Sequence, residues 1–177
     1  MITQAEALRT ARRGALFATA ANVRVRLGPN EIERMIPHRA PLLLVDLITH
    51  VDLAAAAMCA ERRIDPADPA LRGHFPGRPV YPGALLVEAM GQTALCLHHL
   101  LEHGRTFVAP DDQPRAVRLL KIHSATFVRE CLPGDTVQLL ARRLEHDGIC
   151  MTCATQAMRD GEVLAFAVLE VYLGEGV

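Results

Sequence analysis

Apolar side chains occupy nearly every face of the stretch from Gly83 to about His103, GALLVEAMGQTALCLHHLLEH, and give way to polar ones only in its last turn. Such a segment suits a helix buried inside a sheet rather than one lying on a surface. Pro82 stands just before its start, where a missing N–H does least harm. Downstream the period shifts to two, over Ala116–Val128, Thr136–Leu144, Ile149–Arg159 and Val163–Leu173, with Asp147-Gly148 and Asp160-Gly161 as hairpin turns between the last three. Upstream, Leu42–Val51 reads as a buried strand, and Ala54–Ile64 as one whose small residues let the long helix pack against it. Residues 65–82 are too rich in Pro and Gly for a regular element and form a stiff loop, and Gly104–Pro114 forms an exposed connection. The pattern is α+β: an antiparallel sheet wrapped around one long central helix.

The N-terminal part follows other rules. Residues 1–21 suit an amphipathic helix with Ala7, Leu8, Ala11, Ala15 and Ala18 on one side, a mostly alanine face with a weak grip. We treat residues 1–28 as an extension that packs against an oligomer or a partner, and 29–177 as the main domain. Val23–Leu27 alternates as a short strand, and Asn30 with Glu33 opens a short helix that stops before Pro37.

Composition narrows the function classes. A chain of 177 residues is one domain's worth, and its 19 basic and 20 acidic residues do not direct it to nucleic acid. Half of the residues are apolar, more than a small monomer hides easily, which favours an oligomer. Five scattered cysteines suit a reducing compartment, and the C-x-x-C at Cys150 and Cys153 falls in a strand, where an offset of three sends the thiols to opposite faces. No apolar run reaches a membrane span, so the reading is cytoplasmic.

Candidate chemistry gathers between Gly73 and Gln92. Glu88 stands among Ala84, Leu85, Leu86, Val87, Ala89 and Met90, and desolvation there is expected to raise its pKa toward that of a general acid. Gln92, four residues on, can bond the carboxyl. His74 is held by the stiff loop, and the first-turn N–H groups of the helix, Gly83's among them, offer a site for a polarised carbonyl oxygen. Each part also has an ordinary reading, as a turn histidine, a surface glutamate and Pro-Gly punctuation.

The residues GHFPGRPVYPG from Gly73 to Gly83, followed by LLVEAMGQ, resemble the active-site signature of the hot-dog-fold 3-hydroxyacyl-[acyl-carrier-protein] dehydratases, Z-type. Pro37-His38-Arg39 with Leu43-Leu44-Val45-Asp46, and Ala125-Thr126-Phe127 through Pro133-Gly134-Asp135, extend the resemblance over roughly residues 30 to 173. It implies the hot-dog fold and dehydration of a (3R)-3-hydroxyacyl thioester to the trans-2-enoyl thioester, with no metal or organic cofactor. It implies that His74 takes the C2 proton, Glu88 protonates the departing hydroxyl and the Gly83 N–H holds the thioester oxygen. The Val80 carbonyl would orient His74 and Gln92 would steady Glu88. The resemblance also implies an acyl carrier protein as partner and a homodimer with shared active sites, a trimer of dimers being the larger assembly left open.

Departures from the family bear on the acyl tunnel. Ala40, Leu42, Leu71 and Tyr81 replace bulkier or different residues of relatives, and would alter its width and length if they line it. Arg39, Arg72 and Arg78 are candidates for meeting the acidic carrier or its phosphate. A hot-dog thioesterase and a non-catalytic acyl-binding or scaffold protein are the alternatives. His99-Leu-Leu-Glu102-His103 fits a helical zinc pair, but no third ligand stands out downstream, and His98, His99 and His103 read as solvated residues at a helix end.

Overall fold

A computed structural model describes residues 3–18 and 23–174. It contains α1 (Gln4–Arg13), β1 (Val23–Leu27), α2 (Pro29–Met35), β2 (Leu47–Asp52), β3 (Ala57–Arg63), α3 (Pro69–Gly73), α4 (Gly83–His103), β4 (Ala116–Phe127), β5 (Thr136–His146), β6 (Cys150–Arg159) and β7 (Glu162–Gly174). The strands form one seven-stranded antiparallel sheet in the order β1-β2-β3-β5-β6-β7-β4. The sheet curls around α4, which packs on β3, β5, β6 and β7. By length and composition α4 would suffice to cross a membrane, yet most of it is buried within the sheet.

The turns follow the sequence. Asp160 and Gly161 adopt φ of 51° and 80°, the left-handed pair that a two-residue hairpin demands. Gly104 ends α4 at φ 61°, taking the helix's last carbonyls onto its N–H.

Pleating divides the apolar residues between two cores. Leu139, Cys153, Ala157, Leu164 and Leu169 face α4, while Leu140, Ala154, Met158, Phe166 and Val168 face the opposite side. That second side is covered by α1, whose Ala7 and Ala11 are buried with Leu16. The N-terminal helix therefore docks on its own sheet. Its start is fixed by a capping box in which the Glu6 N–H donates to Thr3 Oγ1 and the Thr3 N–H to Glu6 Oε2. Helix expected over residues 14–18 is absent, and residues 19–21 lie outside the described ones. The sheet's edge strand β1 falls inside the segment set apart as the extension.

Three local expectations are corrected. The α2 N-cap is Gly28, with Pro29 next and the Gly28 N–H donating to Glu31 Oε2 at 2.9 Å, because proline favours the first helical position over Asn30. Residues 42–46 are not strand: Gln92 reaches over from α4, accepting from the Leu44 N–H at 2.8 Å and donating to the Leu42 carbonyl at 2.7 Å. A side-chain amide thus replaces a neighbouring strand. The loop of residues 65–82 contains a short helix, α3, started by Asp68, whose carboxylate accepts from the Ala70 N–H.

Candidate active site

The loop before α4 is tied at each turn. The Phe75 and Arg78 backbones bond each other reciprocally around Gly77, whose φ of 79° only glycine adopts easily. The Val80 N–H then donates to the His74 carbonyl at 2.7 Å, and the Tyr81 N–H to that of Cys131 at 2.7 Å. This closure sets the His74 ring. Its Nδ1 lies 2.9 Å from the Val80 carbonyl oxygen, which can only accept, so the proton is assigned to Nδ1 and the lone pair to Nε2. The ring stacks on Phe75 at 4.1 Å.

His74, Val80, Tyr81 and Gly83 line one open cavity of about 610 Å³. Gly83 begins α4, where the first N–H groups have no partner within the helix. A Cβ at Gly83 would stand 2.7 Å from the Phe127 ring, so this close approach requires glycine.

Glu88 lies in a second cavity, of about 460 Å³, whose lining is mainly apolar. Phe127 and Ala84 border both. Glu88 Oε1 is 3.2 Å from His38 Nε2 and accepts from Gln92 Nε2 at 2.9 Å. These bonds reverse the expected shift: the His38 hydrogen bond, with Gln92 helping, outweighs burial and holds the Glu88 carboxyl below the ordinary glutamate range. The side chain also keeps a third of its surface open in the single chain, which weakens the desolvation that the apolar neighbours suggested. His38 was missed as a functional residue, although it belongs to the Pro37-His38-Arg39 motif.

Tyr81 is 2% exposed and lines the His74 cavity, not the Glu88 one. Ala40, Leu42 and Leu71 line neither, Leu71 being buried and Leu42 largely exposed. Arg78 is exposed and bonds Glu130 at 2.9 Å, while Arg39 bonds the Ile36 and His38 carbonyls and pairs with Glu33.

Of the histidines at the end of α4 only His103 is solvated, since His98 and His99 are each 4% exposed. A third candidate ligand does exist, Asp112, within 4.8 Å of His99 and His103. Its carboxylate is already engaged, accepting from Ala109 N–H at 2.8 Å, from His99 Nε2 at 3.2 Å and from the Arg105 guanidinium. Burial pushes Asp112 up, but these donors more than offset it and bring it to about 2. The cluster fastens the Gly104–Pro114 connection to the helix end.

A long helix inside a curled antiparallel sheet, with a histidine loop at its N-terminus and a carboxylate one turn in, defines a hot-dog-fold protein of the acyl-thioester class. Residues 36–167 match the FabA-like domain family. The chain is 33% identical over 148 residues to the 3-hydroxyacyl-[acyl-carrier-protein] dehydratase FabZ of Rhodopseudomonas palustris (strain TIE-1), covering 82% of this chain and 92% of that one. It is 35% identical to the FabZ of Bradyrhizobium diazoefficiens, covering 78% and 86%. The dehydratase heterocomplex ApeI:P from Xenorhabdus doucetiae shares the fold with a TM-score of 0.62 at 18% identity, over 81% of this chain and 91% of that one. The chain belongs to the FabA/FabZ family of hot-dog-fold 3-hydroxyacyl-[acyl-carrier-protein] dehydratases.

Proposed function

We propose that the protein dehydrates (3R)-3-hydroxyacyl thioesters carried on acyl carrier protein to trans-2-enoyl thioesters, with a site shared between two copies of the chain. The observation that carries this reading is the His74 imidazole, held by the Val80 carbonyl with Nε2 free, beside the Gly83 N–H at the start of α4. His74 Nε2 removes the C2 proton while the Gly83 N–H, at the positive end of the helix dipole, stabilises charge on the thioester oxygen. The C2 electron pair forms the double bond, the C3–O bond breaks, and a proton shared by Glu88 and His38 leaves with the oxygen as water. The proton taken up by His74 returns through solvent to the Glu88–His38 pair, which balances the cycle.

Two features support a second copy. His74 and Glu88 occupy different cavities of one chain. Among the described residues the edge strand β4 pairs only with β7 and carries exposed Leu119, Leu120 and Ile122, an apolar edge that a neighbouring protomer would cover. The exposed Arg72 and Arg78 near His74, with Arg39, suit an acidic carrier protein. Five free cysteines fit a reducing cytoplasm.

Glu88→Gln tests the reading with 3-hydroxyacyl carrier protein, followed by mass spectrometry for loss of water. Elimination falls by roughly 10²-fold or more while acyl binding survives, the usual scale for losing a general acid. Release of free thiol in place of the enoyl product would identify a thioesterase, and unchanged turnover would remove Glu88 from the mechanism.

A further inference from the structure

The Glu88 cavity follows one stripe of α4, lined at positions 84, 87, 88, 91, 92 and 95, the three- and four-residue spacing of a single helix face. The same face continues through His98, His99 and Glu102, and there its chemistry changes. The opposite wall changes at the same level: β4 contributes Val117 to the cavity, and Arg115, just before the strand begins, lines the space beyond it. Leu95 and Val117 border both the cavity and a residual space of about 10 Å³ beyond it. That is at or below what one water needs, so the channel is shut there.

Met35 and Leu173 line this residual space too, but the rest of its far wall is polar. The Arg115 guanidinium bonds the Glu102 carboxylate, and His98 Nε2 stands 3.7 Å from the same carboxylate. Both ring nitrogens of His98 are buried without a hydrogen-bond partner among the described residues. Burial lowers His98 to about 4, so it is neutral at pH 7. An acyl methyl group pushed into this level would strip solvent from an ion pair without replacing any of its bonds.

We propose that the acyl tail runs along α4 from Glu88 and that Leu95 and Val117, backed by His98 and the Glu102–Arg115 pair, end its path, so the enzyme selects short and medium chains. The proposal rests on the dehydratase reading for the direction of the tail. At 1.5 Å per residue the helix rises about 10 Å from Glu88 to Leu95, and an extended hydrocarbon with 1.5 Å bonds advances about 1.3 Å per carbon. Measured from C3, this admits acyl groups of about ten carbons in total.

The experiment presents 3-hydroxyacyl carrier protein of four to sixteen carbons and, in parallel, titrates saturated acyl-pantetheines of the same lengths by calorimetry. The parent protein's kcat/KM falls at least about tenfold between ten and fourteen carbons, and affinity stops rising at the same length, because further methylenes find no open space to fill. Replacing the polar backing, as Glu102→Leu with Arg115→Leu, raises the fourteen-to-ten-carbon ratio about tenfold. Leu95→Ala moves the ratio in the same direction and serves if the double variant does not fold. Turnover and binding of sixteen carbons as readily as ten would overturn the proposal, as would a ratio unmoved by either variant. Length-limited binding with no elimination at any length would instead overturn the dehydratase reading and leave the closure standing.

Discussion

Two nitrogen donors meet the Glu88 carboxylate, Gln92 Nε2 at 2.9 Å and His38 Nε2 at 3.2 Å, and both favour its charged form. An acid whose pKa is depressed must receive its proton from a neighbour at the moment of transfer, and His38 is the neighbour in contact. Removing that donor removes the largest cause of the shift, so in His38→Leu the Glu88 pKa rises toward or above the ordinary glutamate range. The check is the side-chain carboxyl carbon signal of labelled glutamate followed through a pH titration. A midpoint unmoved or lowered in the variant would show that His38 does not hold the carboxylate. Catalysis in the same variant drops by about 10- to 100-fold, with KM nearly unchanged, because the loss lies in proton delivery. Gln92 was legible beforehand, since a residue four positions on shares a helix face. His38 was not, because fifty residues separate it from Glu88 and only the fold closes that gap.

At the level of whole elements, α1 shows where pattern stops being informative. Its periodicity marked a helix, but an alanine face gives little direction, and the partner that holds it sits in a strand far along the chain. Gln156 on β6 is fully buried, accepts from the Leu16 N–H at 2.7 Å and donates to the Ala11 and Gly14 carbonyls, each at 2.7 Å. Within a strand of apolar residues and threonines, a lone glutamine carries no sequence sign of this duty. Gln156→Leu leaves three backbone groups without partners, two of them in buried bonds, and lowers folding stability by about 2–4 kcal/mol, the scale of two buried unsatisfied groups. Urea unfolding measures it, and a change under about 0.5 kcal/mol would mean that α1 contributes little to holding the sheet. The strands β4 to β7 were read to within about two residues, because Asp-Gly pairs mark the turns between β5, β6 and β7 and alternation marks the pleat. The stretch before β2 was not, since its backbone partner is the Gln92 side chain and no local pattern announces that.

For the molecule as a whole, the single chain holds the two halves of the proposed site, His74 and Glu88, in separate cavities that share Phe127 and Ala84. A chain that acted alone would have to bring His74 and Glu88 into one cavity by remodelling the start of α4, a helix most of whose residues are buried. A second copy needs only to lay its His74 loop over the first copy's Glu88 cavity, covering apolar surface that one chain leaves open. This difference is measurable without a structure of the assembly. His74→Ala and Glu88→Gln are each inactive alone, but when unfolded together and refolded as a mixture they form dimers in which one of the two shared sites has both residues intact. Random pairing makes half of the dimers mixed, and half of the sites in those are whole, so activity returns to about a quarter of the parent's per chain. At fixed total concentration the recovered activity follows the product of the two variants' mole fractions, and with either in large excess it is proportional to the limiting one. Recovery of nothing, with mixed dimers demonstrated by mass spectrometry, would place the whole site within one chain and require α4 to move.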